Sequence, residues 1–177
     1  MAETKLRKRS EIPEEYKWKL EDMYETDELW EEEADKLSKL GDEMAQFQGK
    51  LGESASNLLA FMKKKDEISY YIARVIVYSN QRSHQDTAVT KYQGYVAKAE
   101  SVAVGVSSAM AFADPEILSI DAEKLEKFYS DEPELLNYKR VIDEIMRKKA
   151  HTLSEPEEKI LAAAGEVTSA PDNIFSM

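Results

Sequence analysis

Residues 89–110 read VTKYQGYVAKAESVAVGVSSAM and carry the clearest helical pattern in the chain. Apolar positions recur there in alternating steps of three and four, which aligns them along one side of an α-helix. The stripe consists of Val89, Tyr92, Val96, Ala99, Ala103, Val106 and Met110. Asp86 is a candidate cap for this helix, and Asp114-Pro115 ends it and opens another turn with proline at a first helical position.

A first long helix is predicted upstream, from about Asp27 to Gln48. Thr26 or Asp27 can cap its free N–H groups, and Gly49 and Gly52 supply the stop. Apolar residues again recur at helical spacing, at Trp30, Ala34, Leu37, Leu40, Met44, Phe47 and Leu51. This spacing predicts a helix with one buried face.

A second helical stretch is predicted between these two. It starts near Ser56, and Asp66 can restart it. Its apolar residues are Leu58, Leu59, Phe61, Met62, Ile68, Tyr71, Ile72, Val75 and Ile76. The run at 75–78, Val-Ile-Val-Tyr, also has strand-like residues, but no turn residues flank it, so the prediction remains helical.

Shorter helices are predicted after residue 113. Asp121 can cap a segment that holds Leu125 and Phe128, and a further helix is expected over Glu134–Lys149 with Leu135, Tyr138, Ile142 and Ile145. Ser154-Glu155-Pro156-Glu157 has a capping-box pattern, which predicts a helix from Glu155 to about Glu166.

The predicted fold is therefore all-α, an antiparallel bundle of three long helices followed by a cluster of shorter helices. Three segments are expected along the chain: an N-terminal arm at 1–20, the bundle at 21–112 and the shorter-helix segment at 113–177. Trp18, Leu20, Met23 and Tyr24 are the residues expected to pin the arm and its continuation to the core.

Composition excludes several classes of protein. The 177 residues include 24 Lys and Arg against 35 Asp and Glu, a net charge of -11, which argues against a nucleic-acid-binding module. The chain has no cysteine, so disulfides, thiolate zinc sites and cysteine nucleophiles are ruled out. The first ten residues lack the apolar stretch of a secretory signal, and no apolar run approaches the length of a membrane span. A cytoplasmic location is expected.

Side chains that carry chemistry are few. The two histidines, His84 and His151, lie 67 positions apart, and the zinc-binding pattern H-E-x-x-H is absent. We interpret His84 as a partly exposed loop residue and His151 as a local hydrogen-bonding residue. The nine carboxylates between Glu21 and Asp35 are interpreted as a solvated helix start that complements the helix dipole.

Basic and aromatic residues are further candidates for ligand sites. The triplets 63–65 and 147–149 lie near predicted helix ends, where positive charge favours the helix dipole. Tyr71 and Tyr92 fall on apolar stripes and are expected in the core. Tyr70 and Tyr95 fall off the stripes, so they are candidates to face a ligand channel, with ordinary surface packing as the alternative.

Four stretches in the right order carry a resemblance to a known family. The stretch 9–24, RSEIPEEYKWKLEDMY, is similar to that family's opening, and Asp86-Thr87 with 91–93, Lys-Tyr-Gln, is similar to its third helix. Pro115-Glu116-Ile117-Leu118 matches the next segment. The most specific match is His151-Thr152-Leu153-Ser154, followed by Glu157, Glu158 and Ile160 to Ala162. Across essentially all of its length the chain resembles the N-terminal part of oligoendopeptidase F, one of the thimet-oligopeptidase-like zinc metallopeptidases.

The resemblance implies a helix-rich zinc metalloendopeptidase that hydrolyses short peptides in a deep channel. It implies a zinc held by H-E-x-x-H and a further glutamate, which have no counterpart here, so no catalytic or metal residue is assigned. The chain is expected to form a non-catalytic channel wall that needs a C-terminal catalytic domain as its partner. An independent helical interaction or scaffold protein is the alternative.

The end of the chain is expected to take part in that contact. The last residues are neither polar nor capped, which is typical of a chain interrupted in mid-course. The apolar residues expected to meet the catalytic part are Ile160, Leu161, Ala164, Ile174, Phe175 and Met177.

Overall fold

Helices make up the regular secondary structure of the residues that the structure describes. The computed structural model of the chain describes residues 11–149. Within that range every regular element is an α-helix or a short 3-10 helix, and no strand is present. The all-α prediction is confirmed. The predictions that concern His151, the helix at Glu155–Glu166 and the apolar tail lie outside the described residues.

Six α-helices occur in the part of the chain that the structure describes. In chain order they are α1 (Asp27–Met44), α2 (Ala55–Gln85), α3 (Thr90–Ala109), α4 (Ala113–Ser119), α5 (Ala122–Asp131) and α6 (Lys139–Lys148). Short 3-10 segments lie at Glu14–Tyr16, Leu20–Asp22, Ala45–Phe47 and Pro133–Tyr138.

Helix α1 follows its sequence pattern closely. Of the two predicted caps it is Thr26 that acts, because its Oγ1 accepts a hydrogen bond from the N–H of Leu29 at 3.4 Å. The residues of the predicted stripe that are buried are Trp30, Ala34, Leu37, Met44 and Leu51. A 3-10 turn follows the helix, and Gly49 then adopts a positive φ of 80°, a conformation that favours glycine.

Helix α2 is continuous over 31 residues, so the predicted restart at Asp66 is wrong. Its cap is Ser54, whose Oγ accepts from the N–H of Asn57 at 3.2 Å. The helical prediction for 75–78 is confirmed. Val75 and Tyr78, three residues apart, are both buried while Val77 between them is exposed, and this burial has helical spacing.

The start of α3 differs from the prediction. Asp86 lies at the C-terminal end of α2, where its Oδ1 accepts from the N–H of Ala88 at 3.0 Å, and α3 begins at Thr90. Asp86 therefore shapes the turn between the helices instead of capping α3. The helix also ends at Ala109, before the predicted stop at Asp114-Pro115. The new helical turn predicted at this proline is present, since Pro115 is the third residue of α4.

The buried side of α3 is rotated from the predicted stripe. Its buried residues are Tyr95, Ala99 and Val106, whereas Tyr92, Val96, Ala103 and Met110 are only partly covered. Apolar and small residues occur on every side of this helix, so the sequence pattern alone does not select one rotation about its axis. The tertiary contacts select it.

Contacts along the first three helices give their directions. The N-terminal half of α1 contacts the C-terminal half of α2, because Trp30 donates its Nε1–H to the carbonyl of Val75 at 2.9 Å. At the other end, the Lys64 ammonium of α2 lies 3.8 Å from the carboxylate of Glu43 near the end of α1. Helices α1 and α2 are therefore antiparallel.

Helix α3 runs parallel to α1 and antiparallel to α2. Lys91 and Lys98 lie about two turns apart on α3. They form ion pairs of 2.7 Å with Asp27 and Asp35 of α1, respectively. Further along the same two helices, Gly41 contacts Val106 closely. The order is up, down, up, as short connections between long helices favour.

Two compact units divide the described residues. The first ends at Leu135 and contains α1 to α5, and the second begins at Leu136 and contains α6. Helix α6 buries Ile142 and Ile145, as its spacing predicted, but it begins only after the 3-10 segment that ends at Tyr138. The segment boundaries predicted at 20 and 112 stay predictions.

The arm before α1 is partly anchored. Leu20 and Tyr24 are buried, Met23 is half-buried, and Trp18 is 82% exposed, so the expectation for Trp18 is wrong.

Within the described residues one helical segment, Thr90–Ser119, is long and apolar enough by composition to cross a membrane. Only 22% of its most apolar window is buried. Core helices of ordinary globular proteins pass the same test.

Candidate functional site

Asp27 is the centre of a polar cluster that joins the three long helices. It is the first residue of α1, and its carboxylate Oδ1 accepts hydrogen bonds from the Tyr78 hydroxyl at 2.8 Å and Arg82 Nη2 at 3.1 Å, both on α2. Its Oδ2 accepts from Lys91 Nζ at 2.7 Å and the Tyr92 hydroxyl at 3.4 Å, both on α3. One carboxylate therefore has four partners on two neighbouring helices.

Electrostatics holds this cluster in one charge state at neutral pH. Burial alone would raise the pKa of Asp27, but hydrogen bonds from Lys91 and Tyr78 and the charge of Arg82 outweigh it, and the pKa lies below its usual range. Burial and the hydrogen bond to the Asp27 carboxylate raise the pKa of Tyr78 to about 12. Asp27 is therefore ionised and Tyr78 protonated near pH 7.

An aromatic stack lies directly behind the Asp27 cluster. The Tyr95 ring stacks on the fully buried Trp30 with centroids 4.2 Å apart and an interplanar angle of 16°. The Tyr95 hydroxyl donates to Glu31 Oε1 at 2.6 Å, and burial raises the pKa of Tyr95, with the hydrogen bond to Glu31 adding to this effect. Lys98, also on α3, places its Nζ 5.9 Å from the centre of the Trp30 ring.

A second polar group fastens the arm to α1 and α2. Arg74 of α2 donates from Nη2 to the carbonyl of Met23 at 2.8 Å, and its guanidinium lies 4.9 Å from the centre of the Tyr24 ring. The Tyr24 hydroxyl donates to Glu33 Oε1, and the same oxygen lies 3.4 Å from Arg74 Nε. Burial raises the pKa of Tyr24, and the hydrogen bond to Glu33 raises it further.

The side chains of these two clusters are arranged to hold segments of the chain together. Each carboxylate is shared among hydroxyl and cationic donors, and the tyrosine pKa values are raised away from neutrality. A general acid or base works best with a pKa near the working pH, and the pKa values of Asp27 and of the three tyrosines are shifted away from it. The geometry therefore supports the joining of helices and gives no catalytic role to the cluster.

The acidic run is only partly the solvated helix start that its composition suggested. Glu28 and Glu32 are exposed, but Asp27, Glu31 and Glu33 each accept a hydrogen bond from a tyrosine of another segment. Spacing along the sequence contains no sign of these pairs, because the tyrosines lie 64 and 51 positions away for Glu31 and Asp27.

The candidate tyrosines separate into two environments. Tyr70 is 58% exposed on α2, where its ring meets Tyr71 edge-on at 5.4 Å and its hydroxyl accepts from Arg74 at 3.4 Å. Tyr95 was predicted off the packed stripe and is instead buried against Trp30, because α3 is rotated. Tyr71 and Tyr92, expected in the core, are half-buried. That Tyr70 and Tyr95 face a channel stays a prediction.

The remaining candidates lie on surfaces. His84 is exposed in the last turn of α2, so its loop assignment is wrong although its exposure is as expected. The basic triplet 63–65 lies inside the N-terminal half of α2, not near its C-terminal end, while 147–149 does lie at the end of α6. No group of three or more His, Asp or Glu side chains within 11–149 is placed to hold a metal ion.

A cleft of about 340 Å³ lies between the arm and the C-terminal end of α2. Acidic, basic and aromatic side chains line it together: Glu14, Lys17, Trp18, Lys19, Glu21, Arg82 and Gln85. Because both signs of charge are mixed in the lining, the cleft selects no class of charged ligand.

Known proteins resemble this chain along its whole length. The family model described as Oligopeptidase F matches residues 116–177. The Oligopeptidase PepF of Bacillus subtilis (strain 168) is 38% identical over 100% of this chain and 27% of its own length. The plasmid oligoendopeptidase F of Lactococcus lactis subsp. cremoris is 37% identical over 96% of this chain and 28% of its own.

Solved structures extend the comparison to the fold. The crystal structure of oligoendopeptidase-F from Enterococcus faecium superposes with a TM-score of 0.72 at 30% identity, over 84% of this chain and 29% of that chain. A solved structure from Chlamydophila abortus has a TM-score of 0.76 at 21% identity, over 97% of this chain and 29% of that chain, and supports the fold alone. The chain spans less than a third of the length of the relatives that it matches.

Proposed function

The chain belongs to the oligoendopeptidase F family and corresponds to its N-terminal region, and from this premise we propose that it forms a non-catalytic wall of a peptide channel. The parent protein is proposed to be a zinc metalloendopeptidase that hydrolyses short peptides in the cytoplasm. The catalytic part of the parent protein is the proposed partner of this chain.

One observation carries the proposal. The match to B. subtilis Oligopeptidase PepF uses all of this chain but only 27% of the relative, so most of that protein lies outside the matched region. The sequence contains no H-E-x-x-H, and its two histidines, His84 and His151, are not close together in the sequence. Binding and positioning of substrate, which a rigid helical scaffold can supply, are the contributions left to this region.

The residues present do not fit a catalytic zinc site. Such a site needs three convergent protein ligands and an open position for water. The exposed His84 is the one histidine that the structure describes, and Asp27, Glu31 and Glu33 are already engaged by tyrosine and cationic donors. No catalytic step is therefore assigned to this chain, and the zinc proposed for the parent protein belongs to residues outside this region.

The first experiment compares the 177-residue chain with the parent protein. Internally quenched short peptides are incubated with each, and metal content is measured after mild dialysis. We expect the parent to cleave the peptides and hold one zinc, and the chain alone to leave them intact without stoichiometric metal. Peptidase activity that survives repurification and follows the 177-residue chain would overturn the proposal.

The gene downstream of the codon for Met177 provides a second, independent test. An encoded H-E-x-x-H sequence is expected there. A stop codon in its place would favour the independent scaffold protein.

The channel wall itself is tested through Tyr70, which is exposed on α2. Tyr70→Ala in the parent protein is expected to raise KM for short peptides several-fold with little change in thermal stability. Ser38→Ala, an exposed change on α1, is the matched control and should leave KM unchanged. An unchanged KM for Tyr70→Ala would remove Tyr70 from the channel.

A further inference from the structure

The outward side of α3 consists mostly of small, uncharged residues that the first unit leaves uncovered, with the exposed carboxylate of Glu100 at its edge. We define the outer face of α3 as its exposed residues at helical spacing, Gly94, Ala97, Ser101, Val104, Gly105 and Ser108. Val104 in its middle is 65% exposed. The segment Thr90–Ser119 is the most apolar helical stretch among the described residues, yet only 22% of its most apolar window is buried.

This face contrasts with the outward side of α1, its parallel neighbour. The exposed residues of α1 are mostly charged, among them Glu32, Asp35, Lys36, Lys39 and Asp42. A helix whose exposed side faces water normally carries charged and polar residues there. A helix side that is exposed but has small residues and Val104 where charged residues are expected is a candidate for contact with another protein surface.

The geometry of the face suits a second helix. Where α3 already meets α1, Gly41 lets the backbones approach so closely that an added Cβ would lie 3.0 Å from Val106 Cγ2. At Gly94 and Gly105, on the outer face, an added Cβ would meet nothing within 4 Å. The outer face has the small side chains that close helix packing needs, and in this unit nothing fills the space in front of them.

We infer that the outer face of α3 is the docking surface for a helix of the polypeptide that follows this region in the parent protein. The inference rests on the proposed function and names the surface through which the wall is attached. The curated relatives extend well beyond the matched region, which is 27% and 28% of their lengths. A tethered partner has a high effective concentration, so a modest uncharged patch is enough to hold it.

Charge favours this occupant over a second copy of the chain. Each copy carries a net charge of -11, so long-range repulsion disfavours the association of two copies, although salt screens it. A lipid bilayer is also a poor match, because α3 carries Lys91 and Lys98 in ion pairs with Asp27 and Asp35 of α1. Burying those charges in hydrocarbon is costly.

The absence of cysteine from the sequence allows a direct test by thiol labelling. Val104→Cys places one thiol on the outer face, and Ser38→Cys places one on the exposed, charge-rich side of α1 as the control. Ser101→Cys is a second, nearly isosteric probe of the same face. Each variant is prepared in the parent protein and in the 177-residue chain, and its rate of modification by a small maleimide is followed by mass spectrometry of the labelled peptide.

In the parent protein, the thiols of Val104→Cys and Ser101→Cys are expected to react at least tenfold more slowly than that of Ser38→Cys. In the 177-residue chain, and in urea, the three rates should be similar. Equal rates in the folded parent would overturn the inference. Protection in the chain alone that rises with its concentration would indicate a second copy, and protection only with added phosphatidylcholine–phosphatidylglycerol vesicles would indicate a membrane. Either result would also overturn it.

Peptide hydrolysis by the unsubstituted parent is measured separately. An active parent with an unprotected outer face refutes the docking surface and leaves the proposed function standing. An inactive parent with a protected outer face supports the docking surface and refutes the proposed function.

Discussion

Replacing Asp27 with asparagine removes the charge on which the three long helices converge. The side chain keeps its size, and its remaining carbonyl oxygen can still accept from the Tyr78 hydroxyl, which lies 2.8 Å away in the native protein. What is lost is the ionic part of two contacts, with Arg82 Nη2 at 3.1 Å from Oδ1 and with the more exposed Lys91 Nζ at 2.7 Å from Oδ2. The new amide N–H₂ also faces donors, which it cannot satisfy.

The size of the effect follows from burial of the pair. The side chains of Asp27 and Arg82 are 11% and 21% exposed, so the pair is neither fully buried nor free in solvent. Removal of one partner costs about 3–5 kcal/mol for a buried pair, and an exposed pair is worth about 1 kcal/mol or less. We therefore expect a loss of about 2 kcal/mol at pH 7. For a chain of this size that lowers Tm by about 4–8 °C.

The effect has a defined dependence on pH. Because the pKa of Asp27 in the folded protein lies below its unfolded value of ~3.9, the ionised carboxylate stabilises the fold fully above about pH 4. The contribution is lost as the pH falls through the folded pKa. The gap between wild type and Asp27→Asn should be equal at pH 7 and pH 5 and should narrow at pH 3.5.

Urea unfolding followed by circular dichroism at these three pH values measures the gap. Glu28→Gln is the matched control, since it removes the same charge from the same first turn of α1 without a contact to α2. Its loss should be smaller, because Glu28 is exposed and its carboxylate interacts mainly with the first turn of α1, through its own N–H group and the Thr26 side chain, and only more weakly with the charge of Lys91. If Asp27→Asn loses no more than Glu28→Gln at pH 7, or if the gap is unchanged at pH 3.5, the assigned role of the cluster is refuted.

Three further predictions concern the contacts between segments, one a close helix packing and two a hydrogen bond. Gly105→Ala should stabilise the chain by about 1 kcal/mol in thermal unfolding, since its Cβ meets open space and alanine favours helix, whereas Gly41→Ala should lose this gain because its Cβ would lie 3.0 Å from Val106 Cγ2. Equal effects of the two substitutions would contradict the close α1–α3 contact. Glu116→Gln should lower stability by about 1–2 kcal/mol in urea, because this carboxylate accepts from two main-chain N–H groups of the α1–α2 connection. Tyr95→Phe should lower stability by about 1–2 kcal/mol through loss of its 2.6 Å hydrogen bond to a carboxylate, and an unchanged midpoint would show that this bond contributes nothing.

Local pattern explains why most elements were predictable. The stripe of α1 and the capping residue Thr26 depend on neighbours three and four positions away, and these interactions are the same in an isolated helix. The errors occur where two local signals compete. Asp86 is equally suited to cap a helix or to form a turn, and Asp66 resembles a cap although the apolar spacing continues through it.

The rotation of α3 was not predictable for a different reason. A helix that is apolar or small on every side gives no strong direction to its buried face, so Tyr95 could be placed on either side of the stripe. The choice is made by Trp30, whose flat ring stacks on Tyr95 and leaves Tyr92 half-covered. The outer face of α3, on the side left uncovered, could not be identified before that rotation was known.

By itself the sequence determined that this chain is all-α, where its long helices lie, and that its 177 residues contain no H-E-x-x-H motif. These properties follow from residue types and from spacings of a few positions, which act within one helix. Only the tertiary structure decided which charges pair and which apolar side is left uncovered. Asp27 meets partners 51 to 65 positions away, and such contacts depend on how three helices are rotated and aligned against one another, which no local spacing encodes.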